Sequence, residues 1–350
     1  MNKQPFQQLL IFLLLFSASF SISRGAIITV DNNSNSGGQF TNLQTAVNSA
    51  QPNDTIHVIG SNTNYGSVTV PIPLTIIGAG YNPPNQFGLA STLSSVLLGG
   101  SGGVTASGTR LMGLNITSSV SGGSGANTVN NVIIERCDIW SISMLTTFCS
   151  NWVVQNNLLN YISISNNSNV IIRNNIIENT ISTSNQPNVL ITNNVFTSTT
   201  QTGSIFSNVS NAVISNNIFY FSRSPQGCSL STFNNNITFN TSNNTLPYGN
   251  NSGTGNLVNV NPVFNNAPNG GYGPANDYRL QATSPGVNAG TDNTDIGIYG
   301  SINPFPIGGL APFLTSAPPA VPQIIELDIL NSNVAQGDSL QIHIRARKQN

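Results

Sequence analysis

A pair of adjacent asparagines recurs inside apolar runs of this chain, at intervals of about twenty residues. The runs read NWVVQNNLLN, NVIIRNNII, NVLITNNVF and NAVISNNIF, with STFNNNITF as a looser copy and NVIIERCDI and TRLMGLNIT as degenerate earlier ones. The second residue of each pair falls at Asn157, Asn175, Asn194, Asn217 and Asn236, and Cys137 and Asn115 take that place upstream. The steps between these positions are 22, 20, 18, 19, 23 and 19 residues. A period of this size marks an array in which each repeat buries its apolar face only against its neighbours.

Each repeat opens on a short β-branched run such as Val170, Ile171 and Ile172, bounded by Asn, Ser or Gly. A second short run follows each pair, as SISM, ISIS, ISTS and SIFS. Short runs of this character read as strands joined by turns. Twenty residues of that kind fit one rung of a parallel β-solenoid. Equivalent positions then stack about 4.8 Å apart. An asparagine at the turn tolerates left-handed backbone and can bond the amide of the next rung, so the pairs read as a structural ladder rather than a catalytic set. The expected ladder is Asn115, Asn157, Asn175, Asn194, Asn217 and Asn236. Cys137 would fill its slot by packing, and three cysteines give neither a disulfide framework nor a zinc site.

Composition sets further bounds. Charged residues make up 6% of the chain and the net charge is -1, which excludes a nucleic-acid partner that needs a basic surface. The opening MNKQPFQQLLIFLLLFSASFSISRGA has a weakly basic start, a short apolar core and small residues, the layout of a secretory signal over residues 1–25. No second apolar span follows, so the expected mature protein is secreted or held at the cell surface without crossing the membrane. FTNLQTAVNSA puts Phe40, Leu43, Val47 and Ala50 on one helical face, with Thr41 and Gln44 at capping-box spacing, and reads as a helix covering the open end of the rod. After Gly300, residues 301–322 read as a Pro-rich linker and residues 323–350 as a strand pair around a turn.

The segment GGQFTNLQTAVNSAQPNDTIHVIG with VTVPIPLTIIGAG, the NVIIRNNII rungs and DYRLQATSPGVNAGTDNTDIGIYG together resemble the right-handed parallel β-helix proteins of the pectin-lyase-like superfamily, over residues 26–300. The resemblance implies an all-β rod with an N-terminal helical cap and a short C-terminal β segment. It implies polysaccharide as the class of partner, and its members include lyases, hydrolases and adhesins.

Lyase chemistry in such relatives draws on Lys or Arg as base and often on calcium. Here the lysines are Lys3 and Lys348, near the two ends, and the rod offers Arg110, Arg136, Arg173 and Arg223. No acid cluster suits calcium. A substitute would have to use Tyr161 or His57 as base, with Arg136 or Arg173 as neutraliser. Hydrolysis would need two carboxylates, for which Glu135, Asp138 and Glu178 are the candidates. We therefore expect no catalytic residue, metal or cofactor, and a non-catalytic role in attachment or glycan recognition. The alternatives are a polysaccharide lyase, then a glycoside hydrolase, and last an ice-binding face.

Candidate ligand contacts fall in two rows. Glu135, Gln155 and Arg173 share one slot in three successive rungs and should point outward, with a weak Glu135–Arg173 pairing. Beyond the asparagines, Ile142, Ile162, Ile181, Ile205 and Leu230 should stack inward. One outward row would then hold Ser141, Tyr161, Thr180, Ser204 and Ser229. A second would hold Ser143, Ser163, Ser182, Phe206 and Ser231. Tyr161, Ser163 and Ser182 are the candidate sugar contacts, because aromatics pack on apolar ring faces and hydroxyls supply hydrogen bonds.

Overall fold

The computed structural model describes residues 25–34, 37–80, 89–99, 105–122, 128–144, 149–165, 169–184, 188–268, 270–273, 275–305, 323–329 and 342–347. The signal segment lies outside these residues, as does the linker beyond residue 305. The chain winds as a right-handed parallel β-helix. One sheet has ten parallel strands, from Ile27–Val30 to Thr232–Asn234. The second has eleven, with Ser67–Val70 first along its path and Ile237–Phe239 last. From residues 156–157 to residues 235–236, each rung passes from the first sheet to the second through the asparagine pair.

The two members of the pair divide the work. The first takes left-handed backbone at Asn156, Asn174, Asn193, Asn216 and Asn235, with φ of 57°, 52°, 55°, 58° and 51°. That turns the chain at the corner, at little cost for this side chain. The second is fully buried and makes the ladder. Nδ2 of Asn157, Asn175, Asn194 and Asn217 each donates to Oδ1 of the asparagine in the next rung, at 3.0 Å. The same oxygens accept the backbone N–H groups of Asn157, Asn175, Asn194 and Asn217 at 2.9 to 3.0 Å. The amide nitrogens also reach carbonyls of the first sheet, as Asn175 does to Val154 at 2.9 Å. An amide in an apolar core is tolerated because every one of its bonds is made.

Two corrections concern the ladder's ends. Asn115 is not a member. Its register partner is Asp138, so the slot above Cys137 belongs to Leu114, and the Asn115 amide goes to Thr92 Oγ1 at 3.4 Å. Gly113, with φ of 65°, turns that corner in place of an asparagine. At the other end the ladder continues to Asn256, whose Oδ1 accepts from Asn236 Nδ2 at 3.0 Å. Cys137 does occupy the slot, its N–H donating to Asn157 Oδ1 at 2.9 Å, and burial pushes its thiol up to about 12.

Inside the rod, aliphatic side chains stack in register, and Phe196 and Phe219 lie parallel with centroids 4.8 Å apart. Outside it there is a second apolar cluster. Leu158, Ile176, Val195, Ile218 and Ile237 face away from the rod axis yet are buried, because Phe264, Tyr278, Ile296, Ile298 and Phe305 cover them. These covering residues belong to a strap that runs back along the rod. The corner asparagines hold it. Asn174 Nδ2 donates to the carbonyls of Ile298 and Gly300 at 2.9 Å. Asn216 exchanges bonds with Thr291, and Asn235 Nδ2 donates to Ala289 O at 2.8 Å.

The N-terminal helix spans Leu43–Ser49. Phe40 lies outside it, bridged to Val30, and the cap is Asn42, whose side chain accepts from the Thr45 N–H at 2.9 Å, in place of the Thr41–Gln44 box. Leu43, Ala46 and Val47 are buried against the first strands. The strands Gln323–Ile329 and Ile342–Arg347 pair antiparallel.

A second corner accounts for another departure. Asn131, Asn151, Asn169, Asn188 and Asn211 share an exposed left-handed corner, with φ between 54° and 64°. Leu230 occupies this corner in the following rung, with φ of 51° and 63% exposure, and so does not stack inward.

Candidate functional site

The row Glu135, Gln155 and Arg173 is in register on the first sheet. Glu135 does not point freely outward: it is 4% exposed. Its partner is Arg110 from the preceding rung, in place of the expected Arg173. Arg110 Nε donates to Glu135 Oε1 at 2.6 Å, and Arg110 Nη2 makes the ion pair to the same oxygen. Gln155 bridges onward, donating to Glu135 Oε2 at 2.7 Å and accepting from Arg173 Nε and Nη2 at 2.9 and 2.8 Å. With the Asn303 amide turned so that its oxygen faces Arg173, both Arg173 Nη atoms reach that oxygen at 3.2 Å. The row is a closed polar chain, and Arg173 meets Glu135 only through Gln155.

The second sheet presents the open surface. Ser67, Ser95, Ser119, Ser141 and Tyr161 stand in register in one column. Ser121, Ser143, Ser163, Ser182 and Ser207 form the next. Phe206, placed in this row from the sequence, is instead buried opposite Ile181, where Ile205 was expected, and Ser207 takes the outward place. Ser231 is also buried, bonded to the Ala212 N–H at 3.1 Å. Register places one hydroxyl about every 4.8 Å along the rod.

Trp140 stands beside these columns and was missed. It is 54% exposed, Tyr161 is 37% exposed, and their rings meet edge to face with centroids 5.9 Å apart. Large aromatics usually bury their surface, so a paired and exposed Trp and Tyr form an apolar platform facing water. The signal lay in RCDIWS, where alternation after Ile139 puts the indole outward.

The platform is edged by acids. Asp138 lies two residues before Trp140 on the strand Asp138–Met144. Glu178 follows Ile177, which is in register with Leu159 and so with Ile139, and this places Glu178 in the column of Trp140, two rungs on. Glu178 Oε1 accepts the N–H of Tyr272, from the C-terminal segment, at 2.8 Å. Burial, and then the charge of Glu178, pushes Asp138 up to about 7. Burial likewise raises Glu178, and it raises the Tyr272 phenol together with the charge of Asp138.

The six residues expected to contact ligand are thus not brought together. Glu135, Gln155 and Arg173 belong to the first sheet, and Tyr161, Ser163 and Ser182 to the second. His57, in the first sheet between Thr29 and Ile77, is held below its ordinary value by burial and is not on the sheet of Tyr161. Among the described residues no group of three or more His, Cys, Asp or Glu is placed to hold a metal. Among them, too, no helix is long and apolar enough to cross a membrane.

No family model and no curated protein matches this chain in sequence. Among solved structures it is similar to a pectate lyase, Pel9A, at 14% identity and a TM-score of 0.42, over 79% of this chain and 96% of that one. A pectin methylesterase from Aspergillus niger matches at 11% identity and 0.41, over 66% and 86%. An alginate lyase from Paenibacillus sp. str. FPU-7 matches at 16% and 0.39, over 61% and 91%. Likeness at these values gives this chain no activity.

Proposed function

We propose that this chain is an exported or cell-surface glycan-recognition protein, and that its ligand lies on the outer face of the second sheet. The observation that carries the reading is the exposed Trp140–Tyr161 pair beside register-matched columns of serine. Aromatic rings offer surface to the apolar face of a sugar, and hydroxyls in a fixed row supply the directional bonds. The signal-like residues 1–25 support export.

Catalysis is not part of the proposal. The Arg110 and Arg173 side chains are engaged in the Glu135–Gln155 row of the first sheet, so neither is offered to the open face as the base or neutraliser of a lyase. Asp138 and Glu178 favour one second reading, glycoside hydrolysis, since one of two neighbouring carboxyls is held protonated near neutral pH.

A glycan array tests recognition, run beside assays for unsaturated uronates and for new reducing ends. Binding without either product is the expected result. Cleavage lost in Asp138→Asn would establish the hydrolase reading, and absence of binding would remove the proposal.

A further inference from the structure

We propose that the open face of the second sheet takes a neutral glycan laid along the rod axis and turns away uronate polymers. This rests on the glycan-recognition reading and adds to it the class of sugar and the direction of the chain.

Direction follows from the columns. In-register hydroxyls repeat along the rod, perpendicular to the strands, at about 4.8 Å. That step is on the scale of one pyranose ring, so a polymer following the axis meets the same groups ring after ring. A polymer lying along a strand would run off the sheet at the ends of Asp138–Met144 or Leu158–Ser165, which are 7 and 8 residues long.

The class of sugar follows from charge. The serine columns carry none. The charged side chains beside the platform are acids: Asp138, on the strand of Trp140, and Glu178, in the column of Trp140. The first-sheet arginines Arg110 and Arg173 are bound to Glu135 and Gln155. Arg136 holds the left-handed corner two residues before Asp138, so its backbone lies on the side of Asp138 away from Trp140. A uronate ring stacked on Trp140 would bring a carboxylate toward two partly desolvated carboxyls. The crowding is felt within the protein itself, where the charge of Glu178 helps to push Asp138 up to about 7. A neutral ring meets no such opposition, and its hydroxyls can donate to the same acids.

The test compares matched oligomers on the full chain: mannan against polymannuronate, and galactan against polygalacturonate. Binding is read by tryptophan fluorescence at pH 8 and low salt, where Asp138 is ionised. The neutral member is expected to bind at least about ten-fold more tightly, from like-charge repulsion across the platform. Added salt should narrow that gap. Asp138→Asn with Glu178→Gln should bring the pair within about three-fold. If the double variant does not fold, Glu178→Gln alone should narrow the gap by about half on a logarithmic scale, since its amide oxygen can still accept from Tyr272. Equal or tighter binding of either uronate polymer by the natural chain overturns the inference and leaves recognition standing. A chain that binds none of the four, nor any glycan on the array, overturns both.

Discussion

Asn175 donates from Nδ2 to Asn194 Oδ1 at 3.0 Å, and the same oxygen accepts the Asn175 backbone N–H at 2.9 Å. One carbonyl oxygen thus closes a two-donor clasp between adjacent rungs, and the clasp repeats through the asparagine slots. It holds the two sheets in register where each rung turns from one to the other. The face that carries Trp140 and Tyr161 depends on that register.

Asn175→Leu should be strongly destabilising. It removes the acceptor of the Asn157 N–H and of one Asn157 Nδ2 hydrogen, leaving two buried donors unpaired, and it takes one of the two donors from Asn194 Oδ1. At about 1–3 kcal/mol for each unpaired donor, partly relieved by relaxation, the loss should reach about 2–5 kcal/mol. Chemical denaturation checks this, and a loss below about 1 kcal/mol would contradict the ladder account.

Leu230→Asn should stabilise. The leucine is 63% exposed and holds left-handed backbone in a corner that asparagine fills in the preceding rungs. Relief of that backbone conformation should contribute about 1 kcal/mol, seen as a higher denaturation midpoint at an unchanged slope.

Asn216→Gly should loosen the strap and spare the rod. Glycine keeps the left-handed corner but drops both bonds to Thr291. Hydrogen exchange should quicken over residues 286–298, while the ladder amides of Asn157 and Asn175 stay protected.

Asp138 should make stability fall as pH rises. Its folded-state value, about 7, lies above its ordinary 3.8, so the native state binds this proton more tightly than the unfolded chain. The contribution is full below the ordinary carboxylate range and is lost as pH climbs through about 7. Its size is at most on the order of a few kcal/mol. Melting temperatures from pH 4 to 8 should show the decline in the natural chain and a shallower one in Asp138→Asn.

Much of the rod was legible because stacked rungs reuse one local pattern. The period, the slots of Asn157 through Asn236 and the register of Glu135, Gln155 and Arg173 all follow from aligned copies. Where a copy is degenerate, alignment slips by one: the period points to Asn115 for the slot that Leu114 holds, since Gly113 rather than an asparagine turns that corner. Ile205 and Phe206 slipped likewise because the turn after residue 200 differs in length. The strap was illegible for another reason. Corner asparagines pair with carbonyls up to 126 residues away, and no periodicity reports such contacts. Glu135 was placed in solvent because its register was legible and its Arg110 cover was not. Trp140 was in plain view but sat one residue outside the rows compared.

Trp140 also reports directly on whether a glycan lies on this face. The chain has two tryptophans, and the other, Trp152, is fully buried, so quenching by iodide reports on Trp140. A bound glycan should shield Trp140 from iodide, and Trp140→Ala should weaken binding at least about thirty-fold, as expected for a central aromatic contact, without shifting the denaturation midpoint by more than about 0.5 kcal/mol. Glycan binding that leaves Trp140 fully open to iodide, or that survives Trp140→Ala unchanged, would contradict the account.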